Sequence, residues 1–179
     1  MAKTFFVTGI IIKRRNYREA ARWVTLFTRE RGKIEVLAKG VRKVTSKRGG
    51  QLELFNLVRL QVVHGKRYNI AAEVELITSF PKFRQDLKKV GLVYELCEIV
   101  DLLTPEEQPH PEVFKIMTEF IKTISDERSN LSPKAIGGIL IDLGFWDGRH
   151  YAEKMREPLF LRGFIENIVE KRLRSPDIL

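Results

Sequence analysis

Three groups of cations carry the chemistry that this sequence offers. Lys13, Arg14 and Arg15 close one alternating apolar run, Arg42, Lys43, Lys47 and Arg48 populate a loop, and Lys66 and Arg67 form a turn. Gathered on one side of a small sheet, they would make a continuous groove of positive potential suited to a phosphate backbone. Each cation that neutralises a phosphate releases condensed counterions, so engaging about six phosphates gives a log–log salt slope near −4 for a single strand. Tyr17 and Tyr68 stand in the same basic turns and are candidates for stacking on unpaired bases. Trp23 and Phe27 fall opposite Val24 and Leu26 and could stack on bases, but the preferred reading is that they are apolar cover between two domains. The stretch Val44 to Gly50 is expected to be mobile when unbound, since Thr, Ser, Gly and like charges give it nothing to pack.

Other chemistries find no constellation. His64, His110 and His150 stand far apart, with no partner at the i+4 spacing that puts two ligands on one helix face. Cys97 is the single cysteine, which leaves no internal disulfide and no multi-cysteine zinc site, and it falls inside an apolar helical stripe where a thiol acts as a small hydrophobe. Asp142 and Asp147 flank a turn and could hold Mg²⁺ in a nuclease, a rival reading supported by those two carboxylates alone. Gly137-Gly138 lacks the Lys-Ser or Lys-Thr of a phosphate loop, and Gly49-Gly50 follows a basic loop instead of a buried strand. The reading is therefore of a non-enzyme, with no cofactor and no metal.

The charge is divided unevenly. The chain of 179 residues carries a formal +9, yet Met1 to Phe80 holds 17 Lys or Arg against 6 Asp or Glu, while Pro81 to Leu179 holds 15 against 17. Such a split points to two modules, the first seeking polyanions. No apolar stretch approaches the roughly 20 residues of a spanning helix, and no secretory core is visible at the N-terminus, so a cytoplasmic protein with no membrane partner is expected.

The periodicity changes at the same place. Up to residue 80 it is two: Val7, Gly9 and Ile11; Val24 and Leu26; Ile34, Val36 and Ala38; Val58, Leu60 and Val62; and Ala72, Val74 and Leu76 each alternate with their neighbours. Five strands follow, with turns at Asn16, Gly32, Gly49-Gly50 and Gly65. A module of this size is an OB-fold barrel or an SH3-like barrel by pattern. From Pro81 the period is helical. One stripe is Val93, Leu96, Cys97, Val100 and Leu103, with Glu95, Glu98 and Asp101 on an acidic solvent face, and it ends at Thr104-Pro105 before a proline-rich loop to Pro111. A second stripe is Val113, Met117, Phe120, Ile121 and Ile124. A third helix is capped by Ser132-Pro133, buries Ile136, Ile139, Leu140 and Leu143 and stops at Gly144. A fourth starts at Pro158 and buries Leu161, Phe164, Ile165, Ile168 and Val169, with Lys171, Arg172 and Arg174 at its negative end. The expected organisation is α+β: a barrel over residues 1–80, then a helical bundle over residues 81–179.

The stretch TGIIIKRRNYREAARWVTLFTRERGKIEVLAKGVRK, followed by LELFNLVRL and LITSFPKFRQDL, resembles the RecO family of bacterial repair and recombination mediators. The resemblance continues through YELCEIVDLLTPEEQPHPEVF, LIDLGF and the closing KRLRSPDIL, and so covers nearly the whole chain. It implies an N-terminal OB-fold, which settles the choice of barrel, and a C-terminal helical domain. It further implies binding of single- and double-stranded DNA, annealing of complementary strands, and help in loading the RecA recombinase onto DNA coated by single-strand-binding protein (SSB), with RecR as partner and association with the nucleoid. Family members take the acidic, apolar SSB tail into a pocket of the helical domain; Lys115, Lys122 and Lys134 are candidate cationic rims here. The chain departs from the family after LIDLGF, where an insertion with a four-cysteine zinc motif is usual. Since KRLRSPDIL still matches, the resemblance implies an internal loss and a metal-free member. A protein-interaction adaptor, binding the SSB tail or RecR and touching DNA weakly, is the second reading.

Overall fold

Strand β1 runs from Thr4 to Tyr17 because its two halves serve different neighbours. Thr4–Ile10 pairs antiparallel with β4, Leu57–His64, while Gly9–Tyr17 pairs antiparallel with β2, Ala21–Thr28. A bulge between Ile11 and Lys13 adds one residue at the changeover and bends the strand. Backbone groups freed there are satisfied locally: Ile11 N–H donates to the Asn56 carbonyl at 3.0 Å, and Phe55 N–H donates to the Ile11 carbonyl at 2.8 Å. The computed structural model describes residues 4–44, 46–126, 132–147 and 157–174. His150, the closing residues 175–179 and the capping side chain of Ser132 lie outside the described residues.

Strand β3, Gly32–Ala38, pairs antiparallel with β2, and β4 pairs antiparallel with β5, Asn69–Thr78. Two parallel pairs, Val36↔Asn69 and Leu37↔Ile70, then close the sheet into a barrel of order β1-β2-β3-β5-β4. That closure is the OB-fold arrangement. The inward residues of all five strands form one core, including Val7, Ile11, Val24, Leu26, Ile34, Val36, Val58, Leu60, Val62 and Ala71. Full burial of an aliphatic side chain contributes about 1.5–3 kcal/mol, so this set, more than the two-pair seam, holds the barrel shut.

Two local features differ from the pattern reading. Asn16 is not a turn residue: it pairs with Arg22 inside the β1–β2 ladder, and the turn falls at Arg18–Ala20 with Arg18 at φ +52°. The stretch before β4 is not wholly irregular, for Arg48–Gln51 makes a single helical turn, α1. Its carbonyls at Gly50 and Gln51 accept from the buried Asn56 Nδ2 at 3.1 and 2.8 Å, a tie that no local propensity of Arg-Gly-Gly-Gln announces.

The helices follow a short 3₁₀ turn at Phe83–Gln85. Helix α2, Leu87–Leu103, is capped by Asp86, whose carboxylate accepts from Lys88 N–H and Lys89 N–H. Helix α3 is Pro111–Asp126, α4 is Ser132–Asp142 and α5 is Pro158–Val169. Gly144, at φ +77°, ends α4, with its N–H donating to Ile141 and that of Phe145 to Leu140. The acidic face assigned to solvent on α2 is instead partly taken: Arg162 of α5 lies 3.8 Å from the half-buried Glu95, and Glu98 accepts from Arg174 N–H at 2.7 Å. Residues Phe80–Thr104 and Pro111–Leu179 form one compact unit, and Met1–Ser79 with Pro105–His110 form the other.

Pro105–His110 belongs with the barrel because it docks on the start of β3. Lys33 bridges Glu106 in parallel, and the Lys33 carbonyl accepts from Glu107 N–H at 2.8 Å. Gly32 makes this approach possible: at φ +66°, a Cβ there would lie 1.8 Å from the Gln108 carbonyl oxygen. Gly40, at φ +72°, has open space where its Cβ would be. Gly32→Ala is therefore expected to cost about 3 kcal/mol or more in urea unfolding, and Gly40→Ala about 1 kcal/mol. Equal losses at the two positions would contradict the docking of this segment.

Candidate nucleic-acid interface

Three chain segments meet at one end of the barrel. The first is the end of β1 with its turn to β2, bearing Lys13, Arg14, Arg15, Tyr17 and Arg18. The second is the segment after β3, which Arg42 ties to the first: its N–H donates to the Ala20 carbonyl at 3.2 Å, and its guanidinium donates to the Arg18 carbonyl at 2.8 Å. The third is the β4–β5 turn with Lys66, Arg67 and Tyr68. It is closed by Gly65 N–H donating to the Tyr68 carbonyl, and by His64 Nδ1 lying 2.9 Å from Asn69 Oδ1. Its link to the first segment is aromatic. The Trp23 ring stands 5.3 Å from that of Tyr68 and 5.8 Å from that of Tyr17, edge to face in both cases.

The nine cations divide by what their side chains hold. Lys43, Lys47, Lys66 and Arg67 are exposed and form no ion pair with a described residue. Lys13 is exposed on β1, opposite Thr25. Arg15 is also exposed, with its guanidinium 5.5 Å from the Trp23 ring centre and 3.8 Å from the Glu35 carboxylate. The other three are structural pins. Arg14 pairs with Glu53, which Arg22 also reaches at 3.2 Å. Arg42 makes the tie already described. Arg48 is half-buried and donates to the carbonyls of Ala72 and Lys39, both at 3.0 Å. A pinned guanidinium keeps its charge but has fewer donors left for a phosphate.

Sequence reasoning missed one member of this surface and ranked another below its alternative. Arg18 lies 5.2 Å over the Tyr17 ring, and Trp23, assigned to interdomain cover, sits between the two tyrosines that were singled out for stacking. Tyr17 itself is the last residue of β1 instead of a turn residue, whereas Tyr68 does lie in a turn and is 38% exposed. Phe27 is fully buried and has no part in the surface. The signal for Trp23 is its register, opposite Arg15 on β1 and Leu37 on β3, which the alternation of one strand cannot supply.

The remaining candidates belong to the helical unit. Cys97 is buried in α2, and burial, with Asp101 nearby, pushes its thiol well above the ordinary range. Asp142 and Asp147 are exposed, and among the described residues no group of three His, Cys, Asp or Glu side chains could hold a metal ion. No helix of the described residues is long and apolar enough to cross a membrane. In the helical unit, a groove of about 300 Å³ runs between α3 and α4, lined by Ile116, Phe120, Ala135 and Gly138, with Glu119, Thr123 and Lys134 at its polar margin. Of the three lysines considered as rims, Lys134 alone lines this groove; Lys115 reaches Glu112 at 3.3 Å, and Lys122 is exposed on α3.

Fold and site together define an OB-fold protein with a cationic, aromatic barrel end, continued by a helical part. Residues 1–80 match the family model for the recombination protein O N-terminal domain, and residues 84–136 match that for its C-terminal domain. The chain belongs to the RecO family. It is 38% identical over 102 residues to a DNA repair protein RecO of Symbiobacterium thermophilum, an overlap of 57% of this chain and 40% of that protein. Against the DNA repair protein RecO of Gloeothece citriformis it is 35% identical over 127 residues, 71% of this chain and 45% of the relative. The figures for that of Pelotomaculum thermopropionicum are 26% over 133 residues, 74% and 52%. The chain thus spans about half the length of these curated relatives, or less.

The division of the cations is testable without any ligand. Arg48→Ala removes a charged donor from two carbonyls and is expected to destabilise the chain by about 1–2 kcal/mol in urea unfolding. Lys47→Ala, one residue earlier and exposed, should change it by less than about 0.5 kcal/mol. A neutral Arg48→Ala would return Arg48 to the projecting set.

Proposed function

We propose that this chain is a DNA repair and recombination mediator that acts without a chemical step of its own. On this reading the barrel end holds single- and double-stranded DNA, complementary strands anneal on it, and the protein helps load RecA onto SSB-coated DNA together with RecR. The observation that carries it is the convergence of three cation-bearing segments at one end of an OB barrel, in a chain of the RecO family. Annealing fits such a surface physically, because shielding the repulsion between two phosphate backbones lowers the cost of bringing complementary strands together.

The groove between α3 and α4 supports a place for the SSB tail. An acidic, apolar peptide would bury its apolar end against Ile116 and Phe120 and bring a carboxylate toward Lys134. A tail bound there leaves the barrel cations for DNA, which favours the mediator over an adaptor whose basic barrel binds the tail itself. Lys134→Glu is expected to weaken capture of a tail peptide several-fold in a fluorescence titration and to leave oligonucleotide affinity unchanged. If oligonucleotide affinity falls and peptide capture does not, the adaptor is the better account.

Reversing the projecting set, Lys43, Lys47, Lys66 and Arg67, to Glu is expected to abolish oligonucleotide binding while the melting temperature moves little. Neutralising the same four to Gln should leave weaker binding whose log–log salt slope is shallower by about 2 to 3. An unaltered slope would remove these residues from the interface.

A further inference from the structure

We infer that Trp23, flanked by Tyr17 and Tyr68, forms a base-stacking site that makes the barrel prefer single-stranded DNA to duplex. The inference rests on the DNA-binding reading above and adds to it a residue and a selectivity that the cations alone do not provide. Cations meet phosphates, which both forms of DNA carry. A ring face can meet only a base that has left its stack, and in duplex DNA those faces are already covered by the neighbouring base pairs.

Four observations support the site. Trp23 is fixed in the sheet, paired across to Arg15 on β1 and Leu37 on β3, and its outward side chain is partly exposed. Its two aromatic neighbours are 62° and 81° from its plane, so neither covers it as a face-to-face stack, and both are half-exposed or partly exposed themselves. The three rings come from β1, β2 and the β4–β5 turn, and the edge-to-face contacts hold them in place before any ligand arrives, which lowers the entropy lost on binding. Finally, the rings stand among exposed cations. Arg15 lies 5.5 Å from the Trp23 ring centre, Arg18 lies 5.2 Å from that of Tyr17, and Lys66 and Arg67 immediately precede Tyr68. A strand whose phosphates follow those cations brings its bases within reach of the rings. A merely structural cluster would need the rings but not this charged surround.

The experiment compares three ligands of equal length at one salt concentration: an oligothymidylate, the same sugar–phosphate chain without bases, and a duplex. The 179-residue chain as wild type, Trp23→Ala and Tyr68→Ala are titrated by anisotropy, and each variant is melted to check that it is folded. Stacking of one or two bases on the rings is worth about tenfold or more in affinity. Wild type should therefore bind oligothymidylate at least tenfold tighter than the abasic chain. Trp23→Ala should lose that difference while keeping its duplex affinity and its salt slope. Tyr68→Ala, at the more exposed ring, should lose part of it and serves if Trp23→Ala does not fold; Trp23→Phe should retain most of it. Equal weakening of all three ligands by Trp23→Ala, or equal wild-type affinity for oligothymidylate and abasic chain, would overturn the stacking site and leave the cationic reading standing. Wild type that captures none of the three ligands at low salt would overturn both.

Discussion

Two residue pairs bring the surface together. The parallel contact of Val36 with Asn69 and of Leu37 with Ile70 is the seam that turns five strands into a closed barrel, and it joins segments more than thirty residues apart in sequence. Without it, the β4–β5 hairpin would be joined to the sheet through the first half of β1 alone, and nothing would hold Tyr68, Lys66 and Arg67 beside Trp23. Two ladder pairs contribute little by themselves, since the net worth of a hydrogen bond in water is about 1 kcal/mol. The seam exists because closing it buries the inward aliphatics of all five strands in one core. The candidate interface is thus brought together by hydrophobic burial inside the barrel, which fixes the strand ends that carry its segments.

The cations illustrate how one residue type performs two tasks. Arg14, Arg42 and Arg48 use planar, multi-donor guanidinium groups to tie a carboxylate or carbonyls from separate segments, work that a lysine's single ammonium would do less well. The projecting set holds three lysines and one arginine, Lys43, Lys47, Lys66 and Arg67. Held charges still contribute to the potential within a Debye length, about 8 Å at physiological salt, so the pins raise the field at the surface while the projecting groups supply the contacts. That distinction is absent from a count of basic residues and emerges only from their acceptors.

The strands were readable because a half-buried strand must alternate, and the OB-fold followed from a family likeness that pattern alone could not distinguish from an SH3-like barrel. The four long helices were readable for the same reason at a period of 3.6, with Pro158 and Gly144 marking ends by backbone geometry. What alternation cannot encode is which strands become neighbours after closure. Trp23 shows the cost: its outward position was legible, and a large outward ring suggested cover by another domain, but its neighbours Tyr17 and Tyr68 are set by the β1–β2 register and by the seam. The turn Arg48–Gln51 was illegible because it is held by the remote Asn56, Ala72 and Lys39 against the preference of its two glycines. Glu95 and Glu98 looked solvent-facing for lack of any sign that Arg162 and the Arg174 backbone would meet them.

A surface that holds DNA for annealing must satisfy two opposed demands. It has to grip a strand firmly enough to concentrate it, yet leave free the edges through which that strand recognises its complement. Phosphate contacts and ring contacts are compatible with both. Cations engage the backbone, and an aromatic ring engages the face of a base, so neither occupies the Watson–Crick edge that pairing needs. The two grips also respond differently to their surroundings. The electrostatic one acts at a distance and weakens with salt, whereas stacking acts at contact and depends little on salt. Once complementary edges meet and the bases stack on each other, the ring contacts are lost while the phosphate contacts persist. On the proposed reading, product duplex would therefore leave the Trp23 end of the barrel more readily than either strand that formed it, and the surface would be free for another pair.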